Sequence, residues 1–147
     1  MRVAIGCDHR GLKIKQAIME FLPGLNHSYH DFGCYNADPV DYPDIAQKVA
    51  EAVASGDFDQ GILICSTGIG MSIAANKMKG VRAALCYDTF TAQRARRHND
   101  ANILCLGGEN IEVNAALEVV KTYLSTDFEG GRHISRLNKV KALEIDA

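Results

Sequence analysis

Short β-branched or aliphatic runs alternate along the chain with longer stretches of helical period. RVAIGC (2–7), HSYHDF (27–32), GILIC (61–65), VRAALC (81–86) and NILCL (102–106) each precede a stretch with apolar residues three or four apart. Those stretches run from Leu12 to Leu22, Ile45 to Val53, Ile69 to Met78, Thr91 to Arg97 and Val113 to Leu124. Five β-α units in series predict a parallel sheet, because strands joined by crossover helices run the same way. Helices then cover both faces, which is why the strands read as apolar runs instead of alternating. The pattern predicts an α/β, Rossmann-like domain of three layers with a five-stranded parallel sheet, spanning residues 1–147 without a linker. EGGRHISRLNKVKALEID (129–146) opens on a glycine break and resumes helical spacing at Ile134, Leu137, Val140 and Leu143, predicting a C-terminal helix whose apolar residues pack in part outside the domain.

Composition narrows the function classes. With 147 residues, 47% of them apolar, the chain suits one core burying about two-thirds of its unfolded surface. Sixteen basic against eighteen acidic residues leave a net charge of -2, so no field over the whole molecule recruits nucleic acid or an anionic membrane. No apolar run approaches the roughly 18 to 20 residues of a membrane span, and a cytoplasmic protein is expected. Five cysteines, none in a Cys-x-x-Cys or Cys/His pair of zinc spacing, suit a reducing compartment and argue against a structural metal. Cys86 and Cys105 read as small buried hydrophobes.

In sheets of this kind ligands bind beyond the carboxyl ends of the strands. Those ends carry Cys7-Asp8-His9-Arg10-Gly11, Cys65-Ser66-Thr67-Gly68-Ile69-Gly70, Tyr87-Asp88 and Gly107-Gly108-Glu109. A thiol at a strand-to-helix turn lies near unpaired amides that favour thiolate, so Cys65 can serve as base or nucleophile. The amides from Ser66 through Gly70 can converge on a small anion. Equally, the glycines can merely tighten the turn while Cys65 fills the core.

Several specific loops fail on spacing. A cysteine-phosphatase loop needs arginine where Met71 stands, Walker A needs Gly-Lys-Ser/Thr, and a dinucleotide fingerprint needs a small residue where Ile73 stands. Asp88 keeps a weak dinucleotide reading open as a ribose ligand. Asp8 alone could cap a helix, His98 could face a helix dipole, and Arg132 and Arg136, four apart, could hold one phosphate or form a solvated face.

Taken together, Gly6-Cys7-Asp8-His9, Asp41-Tyr42-Pro43, Cys65 to Gly70, Ala74-Ala75-Asn76-Lys77, His98-Asn99 and Gly130-Gly131-Arg132-His133 with Arg136 resemble the type B ribose-5-phosphate isomerase family over essentially the whole chain. The family also includes allose-6-phosphate and galactose-6-phosphate isomerases. The resemblance implies an aldose–ketose isomerase for ribose 5-phosphate and ribulose 5-phosphate; its rivals are an allose 6-phosphate or other sugar-phosphate isomerase and a silent sugar-phosphate-binding domain.

By resemblance Cys65 is the base of a cis-enediolate mechanism, aided by Thr67, and the amides of Ser66, Gly68, Ile69 and Gly70 face the oxyanion. His98, with Asp8, opens the sugar ring. Tyr42 and Asn99 bind the sugar; His9, Arg132 and Arg136 hold its phosphate. Met71 replaces the glutamate base of another branch. The resemblance implies no cofactor and no metal. The expected partners are a small-molecule sugar phosphate and a second copy of the chain, in homodimers that can pair into homotetramers with active sites between chains. Where many relatives carry an arginine after the fifth strand, Glu109 stands. Arg10 can supply that charge, pair with Glu109 across the subunit boundary, or simply be a solvated residue in the first helical turn.

Overall fold

Strand and helix alternate as the pattern predicts, in a computed structural model that describes residues 1–145; Asp146 and Ala147, which the sequence reading includes, lie outside the described residues. The strands are β1 (Arg2–Cys7), β2 (Ser28–Asp31), β3 (Gln60–Cys65), β4 (Ala83–Leu85) and β5 (Ile103–Gly107). The helices are α1 (Leu12–Phe21), α2 (Tyr42–Ala54), α3 (Ile69–Ala75), α4 (Thr89–Arg97), α5 (Val113–Ser125) and α6 (His133–Ala142), with a 3-10 turn at Leu22–Leu25 after α1. All strand pairs are parallel, in the order β2-β1-β3-β5-β4.

The three central strands are buried on both faces. Val3, Ile5, Ile62, Ile64, Leu104 and Leu106 point to the layer made by α1, α4 and α5. Ala4, Leu63, Cys65, Ile103 and Cys105 point to α2 and α3. The edge strands are short or polar: β2 is mostly exposed and β4 has three residues. Short, polar edges limit pairing with stray strands.

Two boundaries differ from the periodicity. α2 begins at Tyr42, not Ile45, because Pro43 sits in its first turn after the extended Asp41, a place where proline's missing N–H costs nothing. α3 stops at Ala75, short of Met78, where the Asn76 side chain bonds the amide and carbonyl of Ala83 at 2.8 and 2.9 Å. That tie carries the chain into β4.

From β1 the chain passes to β2 on one side, then returns to place β3 on the other. A reversal of this kind leaves a crevice at the carboxyl ends of the two strands between which it occurs. Here those ends are Cys7-Asp8 and Cys65-Ser66. Among the described residues no helix is long and apolar enough to cross a membrane.

A buried lysine holds one wall of this crevice. Lys15 on α1 is 2% exposed, donates to both Asp31 oxygens at 2.7 and 2.9 Å, and also donates to the Cys34 carbonyl. It fixes the start of the segment that leads to Tyr42. Lys15→Ala should cost about 3 kcal/mol of stability, since it strips Asp31 of its charge partner, leaving it only the Gly33 amide, and leaves the Cys34 carbonyl without its donor. Urea unfolding checks this, and a loss below about 0.5 kcal/mol, the range of ordinary surface changes, would contradict it.

Candidate active site

At the carboxyl edge of the sheet, three strand-end turns meet. After β1, Asp8 is buried and its Oδ1 accepts from the Arg10 amide at 2.9 Å, so it braces its own turn and is not the N-cap of α1. His9 is half-buried, and its Nδ1 accepts from the Val40 amide at 3.3 Å. A neutral ring with Nδ1 accepting carries its proton on Nε2. Two residues after Val40, the Tyr42 ring lies against Gly70; a Cβ there would stand 2.6 Å from the ring. That proximity requires glycine at residue 70.

After β3, Cys65 is 5% exposed and its Sγ accepts from the Gly68 amide at 3.2 Å. Gly68 reaches back with φ +81°, the left-handed region that suits glycine. The Ile69 amide donates to Thr67 Oγ1 at 3.2 Å. Of the predicted anion-binding amides, Gly68 and Ile69 are thus engaged inside the turn. Those of Ser66, Thr67 and Gly70 donate to no group of the chain among the described residues.

The competing thiols are unsuited to proton transfer. Burial pushes Cys7 up to about 12 and Cys86 up to about 11, and it raises Cys105 as well. At neutral pH they remain buried thiols, as expected for Cys86 and Cys105. Met71 is fully buried among the core residues under α3.

After β5, Glu109 joins the same cluster. Its Oε2 accepts from Ser66 Oγ at 2.7 Å and its Oε1 from Arg10 at 2.8 Å. The Ser66 and Arg10 hydrogen bonds hold its carboxyl below the ordinary glutamate range. The Arg10–Glu109 pair therefore forms within one chain, which corrects the expectation of a pair across the subunit boundary. Asp88, the weak ribose candidate, caps α4 by accepting from the Thr91 amide at 2.7 Å.

The remaining predicted residues lie at the other edge of the sheet. α4 leaves the carboxyl end of β4 and returns to the amino end of β5, so its C-cap, His98, stands at the amino edge. Nearby, the Asn102 amide bonds the Arg82 carbonyl at 3.0 Å, ahead of β5 and β4. Asn99 is exposed there. Gly130 and Gly131, both with positive φ, turn the chain into α6, which brings His133 to His98 with Arg132 next to it in sequence.

The His98 and His133 rings stack with centroids 4.3 Å apart and planes 18° from parallel. Arg132 and Arg136 are exposed and share one face of α6. Between Ile103 and Gly107 strand β5 climbs about 13 Å at roughly 3.3 Å per residue. One chain therefore holds Asp8, His9, Tyr42 and residues 65–70 at one edge and His98, Asn99, Arg132 and Arg136 at the other, and it does not bring Asp8 to His98.

The amino edge also holds a group that spacing did not reveal. His98, Glu129 and His133 place ligand-type atoms within 4.8 Å of one another. His133 is buried with Nε2 unpartnered, and burial, then His98 and Arg132, push its pKa down. Nitrogen lone pairs lie in the ring plane, so two nearly parallel stacked rings do not aim them at one ion. The stack does give His98 a fixed orientation. Sequence reasoning quoted His133 within a motif but gave it no role, and it missed the Ser66–Glu109 bond; the only available signal was the glycine pair that delivers α6 to His98.

Exposed apolar side chains flank both edges: Ile69, Ile73, Leu85, Tyr87 and Phe90 around α3 and β4, and Ile134 and Val140 on α6. Leu137 is partly buried.

Comparison with known proteins adds three kinds of likeness. Residues 3–140 match the family described as Ribose/Galactose Isomerase. The chain is 44% identical to the ribose-5-P isomerase B of Listeria innocua, covering 99% of this chain and 97% of that protein. It is 39% identical to the D-erythrulose-4-phosphate isomerase of Pectobacterium atrosepticum, covering 95% and 93%. Among solved structures, ribose-5-phosphate isomerase B of Clostridium thermocellum superposes with a TM-score of 0.96 at 48% identity, covering 98% of this chain and 97% of that one.

Proposed function

The chain belongs to the ribose/galactose isomerase family, and from that premise we propose that it interconverts ribose 5-phosphate and ribulose 5-phosphate through a cis-enediolate. The observation that carries the reading is the turn after β3, where Cys65 Sγ accepts from the Gly68 amide while the amides of Ser66, Thr67 and Gly70 in the same turn remain unpaired among the described residues.

Cys65 as thiolate removes the proton from carbon 2 of the open-chain aldose. The electron pair shifts to form the enediolate, whose charge rests on the sugar oxygens and is met by the free amides. Proton exchange between the two oxygens, supported by the Thr67 hydroxyl, lets the thiol return its proton to carbon 1. His98 opens the ring by acid-base exchange at the ring oxygen and the anomeric hydroxyl, with Asp8 holding sugar hydroxyls. Tyr42 and Asn99 bind the sugar. His9 donates to the phosphate from Nε2, and Arg132 and Arg136 supply its opposite charge. No step calls for a metal or an organic cofactor.

The division between sheet edges supports a site shared by two chains. A two-fold axis that sets the amino edge of one copy against the carboxyl edge of the other makes two identical sites at once. Each joins Cys65 of one chain to His98 of its partner. The exposed apolar residues beside both edges suit such a contact.

Relatives differ in the sugar for which they are named, so the decisive assay compares substrates. Turnover of ribose 5-phosphate should exceed that of allose 6-phosphate and erythrulose 4-phosphate in kcat/KM and should survive exhaustive chelation. Preference for another sugar phosphate would reassign the substrate. Inactivity on all three would reject the isomerase reading, and loss on chelation with recovery on metal addition would reject the metal-free route.

A further inference from the structure

The three turns at the carboxyl edge are tied to one another through a single residue. Glu109 bonds Ser66 twice: its amide donates to the Ser66 carbonyl at 3.1 Å, and its Oε2 accepts from the Ser66 hydroxyl at 2.7 Å. Its other oxygen is held by Arg10 at 2.8 Å, from the turn after β1. Beside it, the Gly108 amide donates to the Cys65 carbonyl at 2.7 Å.

A trans peptide is planar, with its C=O and N–H pointing in opposite directions. Holding the Cys65 carbonyl toward Gly108 therefore turns the Ser66 N–H away from residue 108, and holding the Ser66 carbonyl toward Glu109 does the same for the Thr67 N–H. These two amides are among those left unpaired in the turn that follows Cys65. Ser66 is the pivot between the two peptides. A second anchor on Ser66 is what limits its rotation.

We propose that Glu109 is a positioning residue for the reaction, acting through the Ser66 hydroxyl to aim the Ser66 and Thr67 amides at the developing oxyanion, with Arg10 fixing and neutralising its carboxylate. The proposal rests on the isomerase reading of the site. Ion pairs as exposed as Arg10–Glu109 contribute little to stability, so the role lies in orientation. Both Glu109 oxygens already accept from the chain, so Glu109 acts through Ser66 and not on the sugar.

The test combines kinetics with hydrogen exchange in Glu109→Ala, Glu109→Gln, Ser66→Ala and the double alanine variant. Each single alanine change should lower kcat about 10- to 100-fold with KM within roughly threefold, because misaimed donors weaken the transition state more than the ground state. The double variant should be no slower than the worse single one, since both remove the same bond. Glu109→Gln, which keeps an oxygen acceptor for Ser66, should recover most of kcat.

By nuclear magnetic resonance the amides at positions 68, 108 and 109, each bonded to residue 65 or 66, should exchange faster in Glu109→Ala and not in Glu109→Gln. Unchanged exchange in Glu109→Ala would overturn the proposal, as would a rise in KM at constant kcat or losses that multiply in the double variant. Should wild-type protein turn over no sugar phosphate, the isomerase reading falls and the catalytic role of Glu109 with it, while the exchange data still decide whether Glu109 holds the turn.

Discussion

Cys65→Ala is expected to lower kcat by about 10²- to 10⁴-fold, the range associated with a positioned general base. KM should change little, because the groups assigned to phosphate and sugar are elsewhere: His9 on the turn after β1, Tyr42 on α2, and Arg132 and Arg136 beside and on α6. An interaction needed only in the transition state shows this split. Deuterium from solvent should also cease to enter the substrate at carbons 1 and 2. The other four thiols are buried, and burial raises three of them further from ionisation. Near-wild-type turnover in Cys65→Ala would refute the assignment of the base.

The second large effect is a recovery. His98→Ala should be slow on the cyclic sugar phosphate yet retain proton transfer on an open-chain analogue, because ring opening precedes that transfer. Cys65→Ala should fail on both. Co-expressed with different tags and purified as mixed pairs, the two inactive chains should regain about half the wild-type activity on the cyclic substrate, since a two-fold pair has one doubly altered and one intact site. Recovery of this kind is impossible if each chain builds its own site. Mixed pairs as inactive as either parent would reject the shared-site arrangement.

Most of the fold was legible because apolar periodicity reports burial, and burial in a parallel sheet is two-sided. The runs ending at Cys7 and Cys65 located the crevice through the rule for strand ends. Legibility failed where side chains act at long range. VRAALC reads as a six-residue strand, yet only Ala83–Leu85 pairs; the preceding Arg82 instead directs its Nε to the Asp100 carbonyl at 2.8 Å. Glu109 and Ser66 are 43 residues apart, and no spacing rule connects them. The contact between His98 and His133 depends on how the chain folds back after α5. The position of His98, by contrast, follows from topology alone: a crossover helix before a parallel strand ends at the amino edge.

With ring opening and the two phosphate-binding arginines assigned to the amino edge and proton transfer to the carboxyl edge, the proposed site separates what the chemistry fixes from what the substrate dictates. The turn from Cys65 to Gly70 has to keep sub-ångström geometry around two carbons whatever sugar follows them. Sugars of different length change only the span from those carbons to the phosphate. In a site closed by two chains, that span can be met by a small shift or rotation of one chain against its partner, or by substitutions on α6, without touching the proton-transfer turn. A site shared in the proposed way would make substrate range a property of the seam between subunits and leave reaction type to the turn after β3.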